Sequence, residues 1–157
     1  MLMKARPLKS RLLAGALAAL AFSGCGRAID REAAQKVSDS FMSDMVADRV
    51  GGALNRMEPE FVQTIGRTEA EAGLRKLFEY CGRPLDWEFK HYEQGFKIYL
   101  DGRRKPMLKF YYAANTTQHP KGVCFFSVEV VPDKAGLKVT AFGPLKLQRG
   151  QLPEWLR

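Results

Sequence analysis

Seven side chains in the second half of the chain, Asp86, Glu88, His91, Tyr99, Tyr111, Tyr112 and Glu129, are the raw material for proton transfer. Such chemistry needs a carboxylate or histidine base facing a tyrosine or acid donor, with pKa values displaced by the surroundings. The residue types are right, but their spacing singles out no pair. Glu88 lies opposite Trp87 in an alternating segment and is followed two residues on by Lys90, the pattern of a solvated cross-strand ladder. Glu129, flanked by Val128 and Val130, is expected to face solvent, and His91 to share the apolar face with Trp87 and Phe89 as a packed residue. The expected pocket lining is Trp87, His91, Tyr99 and Tyr111, with no catalytic residue assigned. Only two histidines occur, His91 and His119, and neither has a second ligand at helix or strand spacing, so no metal and no cofactor is expected. No glycine-rich phosphate loop follows a strand, and no serine sits in a nucleophile elbow.

The three cysteines are more informative. Residues 1–11 carry Lys4, Arg6, Lys9 and Arg11 and no acid, and residues 12–22 are an unbroken apolar run. Eleven residues of helix span roughly 16 Å against a hydrocarbon core of about 30 Å, so the run is a processing signal and not a membrane span. It ends in Phe22-Ser23-Gly24-Cys25, which resembles a bacterial lipoprotein signal, with Phe22 standing where leucine is commoner. The resemblance implies removal of residues 1–24, acylation of Cys25 and a short lipidated tether over residues 25–30. Two or three acyl chains, at about 0.8 kcal/mol per buried methylene, make a stable anchor. An ordinary secretory signal cut near Ala28 is the alternative. Gly26 is not the aspartate that resembles an inner-membrane retention signal, so an outer membrane is favoured where the organism has one.

Acylation of Cys25 leaves Cys81 and Cys124 as an even pair in an oxidising compartment, where disulfides persist. A bridge between them would close a 43-residue loop and contribute about 4 kcal/mol in the chain-entropy model. Two separately buried thiols are the alternative. Loss of the four basic residues of the leader reduces the formal charge from +8 to +4, with 21 basic residues against 17 acidic. That is no basis for nucleic-acid binding.

The elements that must position these residues divide by period. From 30 to 48, Ala34, Val37, Phe41 and Met45 recur at helical spacing, and Gly51-Gly52 is expected to interrupt the helix. A short second helix through Ala53, Leu54 and Met57 should end before Pro59, which disfavours helical geometry in Glu58. Thr68 and Glu71 form a capping box for a third helix that carries Leu74, Leu77, Phe78 and Cys81 to Gly82. Alternation then takes over. Apolar parity switches from odd at Trp87 and Phe89 to even at Phe96, Ile98 and Leu100, which predicts one long strand with a bulge at Gly95, or a tight hairpin there. Asp101-Gly102 marks a turn extended by Arg103, Arg104, Lys105 and Pro106, read as a solvated basic loop. Further strands are expected over 107–114, 123–131 and 137–147, with connections short enough to require antiparallel pairing. The fold class is therefore α+β: about three N-terminal helices packed on a curved four-stranded antiparallel meander, one domain over residues 31–157. Leu152, Trp155 and Leu156 are expected to fold back onto it.

This element order, with Met57-Glu58-Pro59-Glu60-Phe61 closing the second helix and Gly82-Arg83-Pro84-Leu85 closing the third, resembles the cystatin-like cone fold of the nuclear transport factor 2-like superfamily. More closely, it is similar to small bacterial secreted or lipoprotein domains of that type without an assigned role. The resemblance implies a bent sheet around a cone-shaped pocket. It leaves function open among enzymes, ligand binders and dimerisation modules. The expected function is a non-enzymatic binding or accessory module of the cell envelope, held to a membrane by its acyl-cysteine. Its candidate partners are an envelope protein, a small apolar ligand or a second copy of the chain. The alternative is a small isomerase- or dehydratase-like enzyme using His91 or Asp86 as base with a tyrosine donor.

Overall fold

The computed structural model describes residues 28–120 and 124–145. The leader and residues 25–27, Cys25 among them, lie outside the described residues, as do Leu152, Trp155 and Leu156.

Four helices precede four strands: α1 (Arg31–Val46), α2 (Val50–Arg56), α3 (Pro59–Ile65), α4 (Arg67–Cys81), β1 (Glu88–Ile98), β2 (Arg104–Ala114), β3 (Cys124–Asp133) and β4 (Gly136–Pro144). The Asp30 carboxylate caps α1 by accepting from the Glu32 and Ala33 amides. Gly51 and Gly52 do not interrupt the helices but lie inside α2; the break is at residues 47–49, where Asp48 adopts a φ of 55°. The glycines serve packing. A Cβ on Gly52 would lie 3.1 Å from Asp44 Oδ2, and the space it leaves admits the buried Asp44 carboxylate, which Arg49 and Arg56 clamp at 2.9 Å each.

The second helix ends before Pro59 as expected, and Pro59 itself occupies the first turn of α3, a helix beyond the three expected. Its steric demand holds Glu58 extended (φ −57°, ψ 125°). The Met57–Glu58 segment therefore lies along β4 like a strand, Met57 bridging Val139 and the Glu58 amide donating to the Val139 carbonyl at 2.9 Å. The Thr68–Glu71 capping box is absent. Gly66, at φ 85°, joins α3 directly to α4, so Thr68 lies inside the helix and no side chain caps it.

The sheet is an antiparallel meander in the order β1-β2-β3-β4. β1 is the single long strand, without a tight hairpin, but its bulge is not at Gly95, which pairs regularly with Met107. The extra residue is Lys90, between the Phe89–Tyr112 and His91–Tyr111 pairs. Gly95 marked where the parity change becomes visible; Lys90 is where it happens. A second bulge inserts Thr140 between the pairings of Val139 and Ala141. The turn after β1 is shorter than expected, because Arg104, Lys105 and Pro106 already pair with Ile98, Lys97 and Phe96.

One sheet face packs on the helices. Leu108, Phe110, Tyr112, Phe126, Val128 and Val130 are fully buried there against Phe41, Met42 and Met45 of α1. Phe142 stacks on Phe126, Trp87 meets Tyr112 edge-on, and Phe89 packs at the margin, so aromatic side chains fill this side. The Tyr112 hydroxyl ties sheet to helix through Ser38 at 2.7 Å and Asp39 at 2.8 Å.

Candidate functional site

The far face of the sheet carries a polar cluster centred on Glu58, a residue only 4 % exposed. Its position follows from Pro59, which turns the preceding residue out of the helix and onto the sheet. Glu58 Oε1 accepts from the Tyr99 hydroxyl at 2.8 Å and from Lys105 Nζ at 2.7 Å, and Oε2 accepts from the Thr140 hydroxyl at 2.5 Å. Thr140 is the bulge residue of β4, Lys105 is the second residue of β2, and Tyr99 follows β1, so the curled sheet brings both of its edges to one carboxylate. Lys105 also reaches Asp133 at 3.4 Å and lies over the Tyr99 ring.

Burial raises the Glu58 pKa, but the hydrogen bonds from Lys105, Thr140 and Tyr99 outweigh it and hold the carboxyl below its ordinary value. Burial and the Glu58 carboxylate move Tyr99 the other way, up from the ordinary phenol. Burial lowers the Lys105 pKa, and Glu58 more than compensates, so that the ammonium is stabilised. Each group is thus fixed in its charged or neutral form on its own side of neutrality.

A cleft of about 470 Å³ opens over this cluster, between α3 and the turn joining β1 to β2. Glu58, Tyr99 and Thr140 line its floor, and Phe61, Ile65 and Leu100 stand exposed on its walls. Arg103 sits at the rim, paired with Glu60 at 2.8 Å and with Asp101, its guanidinium over the Tyr99 ring. The expected free basic loop is therefore not one: Arg103 and Lys105 are ion-paired within the domain, and Arg104 lies over the Phe96 ring.

The four expected pocket residues are placed in three surroundings. Tyr99 lines the cleft, while Trp87 packs against Tyr112 on the helix face. His91 is not on that face: the Lys90 bulge turns it to the far side, where its ring stacks on Tyr111 at a centroid distance of 6.2 Å. The Tyr111 hydroxyl donates to Glu93 at 2.6 Å, and burial together with that carboxylate raises its pKa. Asp86 accepts from the Asn115 amide and side chain, at 3.1 and 2.9 Å, and anchors a loop. Glu88 is exposed and paired with Lys90, as the alternation implied. Glu129 does not face solvent; only 16 % of its side chain is exposed, and Lys97 and Lys109 pair with it at 2.9 and 3.4 Å. Glu58 was legible only as the residue before a proline, because nothing in local periodicity says that both sheet edges converge on it.

Cys81 and Cys124 are both free thiols and lie side by side, Cys124 Sγ being 3.8 Å from the Cys81 carbonyl oxygen. Burial, reinforced by the neighbouring Cys124, pushes the Cys81 thiol up to about 12. Among the described residues no cluster of three or more His, Cys, Asp or Glu side chains could hold a metal, and no helix is long and apolar enough to cross a membrane.

No protein-family model matches the chain, and no curated sequence is similar to it. Among solved structures, Aln2 from a Streptomyces species is similar at 16 % identity, covering 75 % of this chain and 93 % of that one with a TM-score of 0.41. The intermembrane-space region of the chloroplast protein ARC6 is similar at 13 % identity, covering 74 % and 97 %, with a TM-score of 0.37.

Proposed function

We propose that this protein is a non-enzymatic binding or accessory module of the cell envelope, tethered to a membrane through an acylated Cys25, with the Glu58 cleft as its contact site. The observation that carries the binding reading is the internal compensation of the cleft floor. A general acid or base works best with a pKa near the operating pH. Here Glu58 is held ionised, Tyr99 neutral and Lys105 charged, each by the others. Among the described residues every buried side-chain nitrogen and oxygen is hydrogen-bonded, so the floor offers a satisfied, rigid surface beneath apolar walls. Two members of the rival base and donor pairs are engaged elsewhere, which favours the binding reading. Asp86 is committed to Asn115, and the Tyr111 hydroxyl to Glu93.

Lipidation rests on the Phe22-Ser23-Gly24-Cys25 phrase and its charged, apolar leader. Metabolic labelling with a fatty-acid analogue should tag the wild-type chain and leave Cys25→Ala untagged; equal labelling of both ends the anchor reading. For the cleft, a carbon-13 carboxyl titration should find Glu58 ionised from about pH 5 to about pH 9. A midpoint inside that range would restore an acid–base role.

A further inference from the structure

The large exposed apolar side chains are unevenly placed. Among the described residues seven are at least 40 % exposed, and five of them, Phe61, Ile65, Phe96, Ile98 and Leu100, lie at the end of the domain where β1 turns into β2. Phe96 and Ile98 are 62 % and 64 % exposed on the edge strand, and Leu100 stands entirely free at the tip. The other two, Tyr80 and Leu85, are at the opposite end, where the Leu85 amide donates to the carbonyl of Asn115 just beyond β2. The 11 residues of β2 separate the two ends, about 36 Å of extended chain.

The described chain enters at the first of these ends. Ala28 and Ile29 line one depression with Phe96, Pro106 and Met107. Cys25 is three residues upstream of Ala28, so by covalent geometry alone the two are at most about 11 Å apart. An acyl chain on Cys25 lies in the bilayer, so its tether holds the Phe96 side of the domain at the membrane interface. The far end, with Tyr80 and Leu85, is not so constrained.

We propose that the β1–β2 turn end is a membrane-docking surface, with Phe96, Ile98 and Leu100 entering the lipid interface beside the anchor. The partner is a phospholipid bilayer, and its recognition is apolar more than electrostatic. Of the basic residues at this end, Arg103 is paired with Glu60 and Asp101, Lys105 with Glu58, and Lys97 with Glu129. Among the described residues only Arg104 of this group lacks an acid partner, and it lies over Phe96, where it can reach headgroups while its stem covers apolar surface. Docking in this orientation brings the mouth of the Glu58 cleft, walled by Leu100, next to the interface.

The proposal rests on the acyl anchor for its orientation and is tested separately from it. The full chain, expressed with its own leader and isolated from host membranes, is reconstituted in phosphatidylcholine–phosphatidylethanolamine vesicles containing a diazirine phospholipid. After photolysis the lipid adducts are mapped by mass spectrometry. Adducts are expected on residues 96–104 and 61–65, at least about tenfold above those on residues 80–87, and little changed by added salt. Combined Phe96→Ser, Ile98→Ser and Leu100→Ser substitutions should abolish the adducts at 61–65, with circular dichroism confirming the fold. Equal labelling of both ends, or none at the turn, overturns the docking surface. A dimer seen by sedimentation of the wild type and lost in the triple-serine variant, with no lipid adducts at the turn, would also overturn it and assign the face to a second copy of the chain. A chain that takes up fatty acid yet shows no turn adducts sinks only this proposal. One that shows them without fatty-acid uptake sinks only the anchor.

Discussion

Replacing Glu58 perturbs the residue on which α3, β4 and the β1–β2 turn converge. Glu58→Gln keeps the shape but removes the charge that Lys105 needs, and turns an amide nitrogen toward a donor, either Lys105 or the Thr140 hydroxyl. The native carboxylate has three side-chain donors, and its own side chain is only 5 % exposed against 21 % for Lys105. A hydrogen bond to a charged group contributes about 1.5–3 kcal/mol, and stranding one member of a buried pair costs about 3–5 kcal/mol. Asp133, 3.4 Å from Lys105 Nζ, takes up part of the stranded charge. The expected loss is about 2 kcal/mol for Gln and about 3 kcal/mol for Ala. With a urea slope of about 1–3 kcal/mol per molar, the Gln variant should unfold about 1 M earlier in a leaderless chain.

The pH dependence carries the sign. Glu58 has its folded pKa depressed below 4.5, so its contribution is present above that value and lost as pH falls through the folded pKa. Lys105 is raised above 10.5, so its share is present below that value and lost as pH rises through the folded pKa. The gap between wild type and Glu58→Gln should therefore be flat from about pH 5 to about pH 10 and narrow in acid. Midpoints within about 0.3 M of wild type for both variants, or a gap that widens in acid, would refute this account of the cluster.

Two further predictions concern the glycines and the cysteines. Gly51→Ala should stabilise α2 by up to about 1 kcal/mol, because its new Cβ meets only the far ends of the Arg67 and Glu71 side chains, at 3.4 and 3.8 Å. Gly52→Ala should forfeit that gain and destabilise, since Arg49 and Arg56 prevent the Asp44 carboxylate from retreating; thermal melts giving the two alanines the same sign would contradict this. In the envelope, Cys81 and Cys124 are proposed to be bridged, so the denatured, unreduced chain should yield neither thiol, and two reactive thiols would refute the bridge. Chain made in a reducing cytosol should be less stable by up to about 4 kcal/mol, and its folded Cys81 should resist alkylation near neutral pH, because its thiol is held at about 12.

The α+β class and the antiparallel order were legible in the sequence because both depend on local quantities. Apolar spacing near 3.6 or 2 decides helix or strand, and connections of a few residues between strands permit only antiparallel neighbours. The Asp30 cap of α1 and the extended Glu58 before Pro59 are equally local. Where local signals competed, tertiary contacts decided. Gly51-Gly52 has the composition of a break, yet the Asp44–Arg49–Arg56 clamp needs a helix without a Cβ at that point. Arg103, Arg104 and Lys105 have the composition of a solvated loop, yet strand pairing and four carboxylates absorb them.

The seven side chains that could do chemistry were all visible from the start, but which of them meet was not. A single inserted residue reverses every side chain after it, and parity on both sides of Gly95 is equally consistent with a bulge anywhere in the unpatterned stretch before Phe96. Only the pairing of β1 with β2 placed it at Lys90, which sent His91 away from Trp87 and onto Tyr111. The residue at the centre of the site was likewise set by tertiary structure. Pro59 made Glu58 extended, but Tyr99, Lys105 and Thr140 reach it from 41, 47 and 82 residues away, because a twisted, twice-bulged sheet curls its two edges together. Sequence determined the elements other than α3, and the end of the chain that carries the expected anchor. The fold decided which carboxylate is buried, what neutralises it, and which apolar side chains stay exposed at the β1–β2 turn.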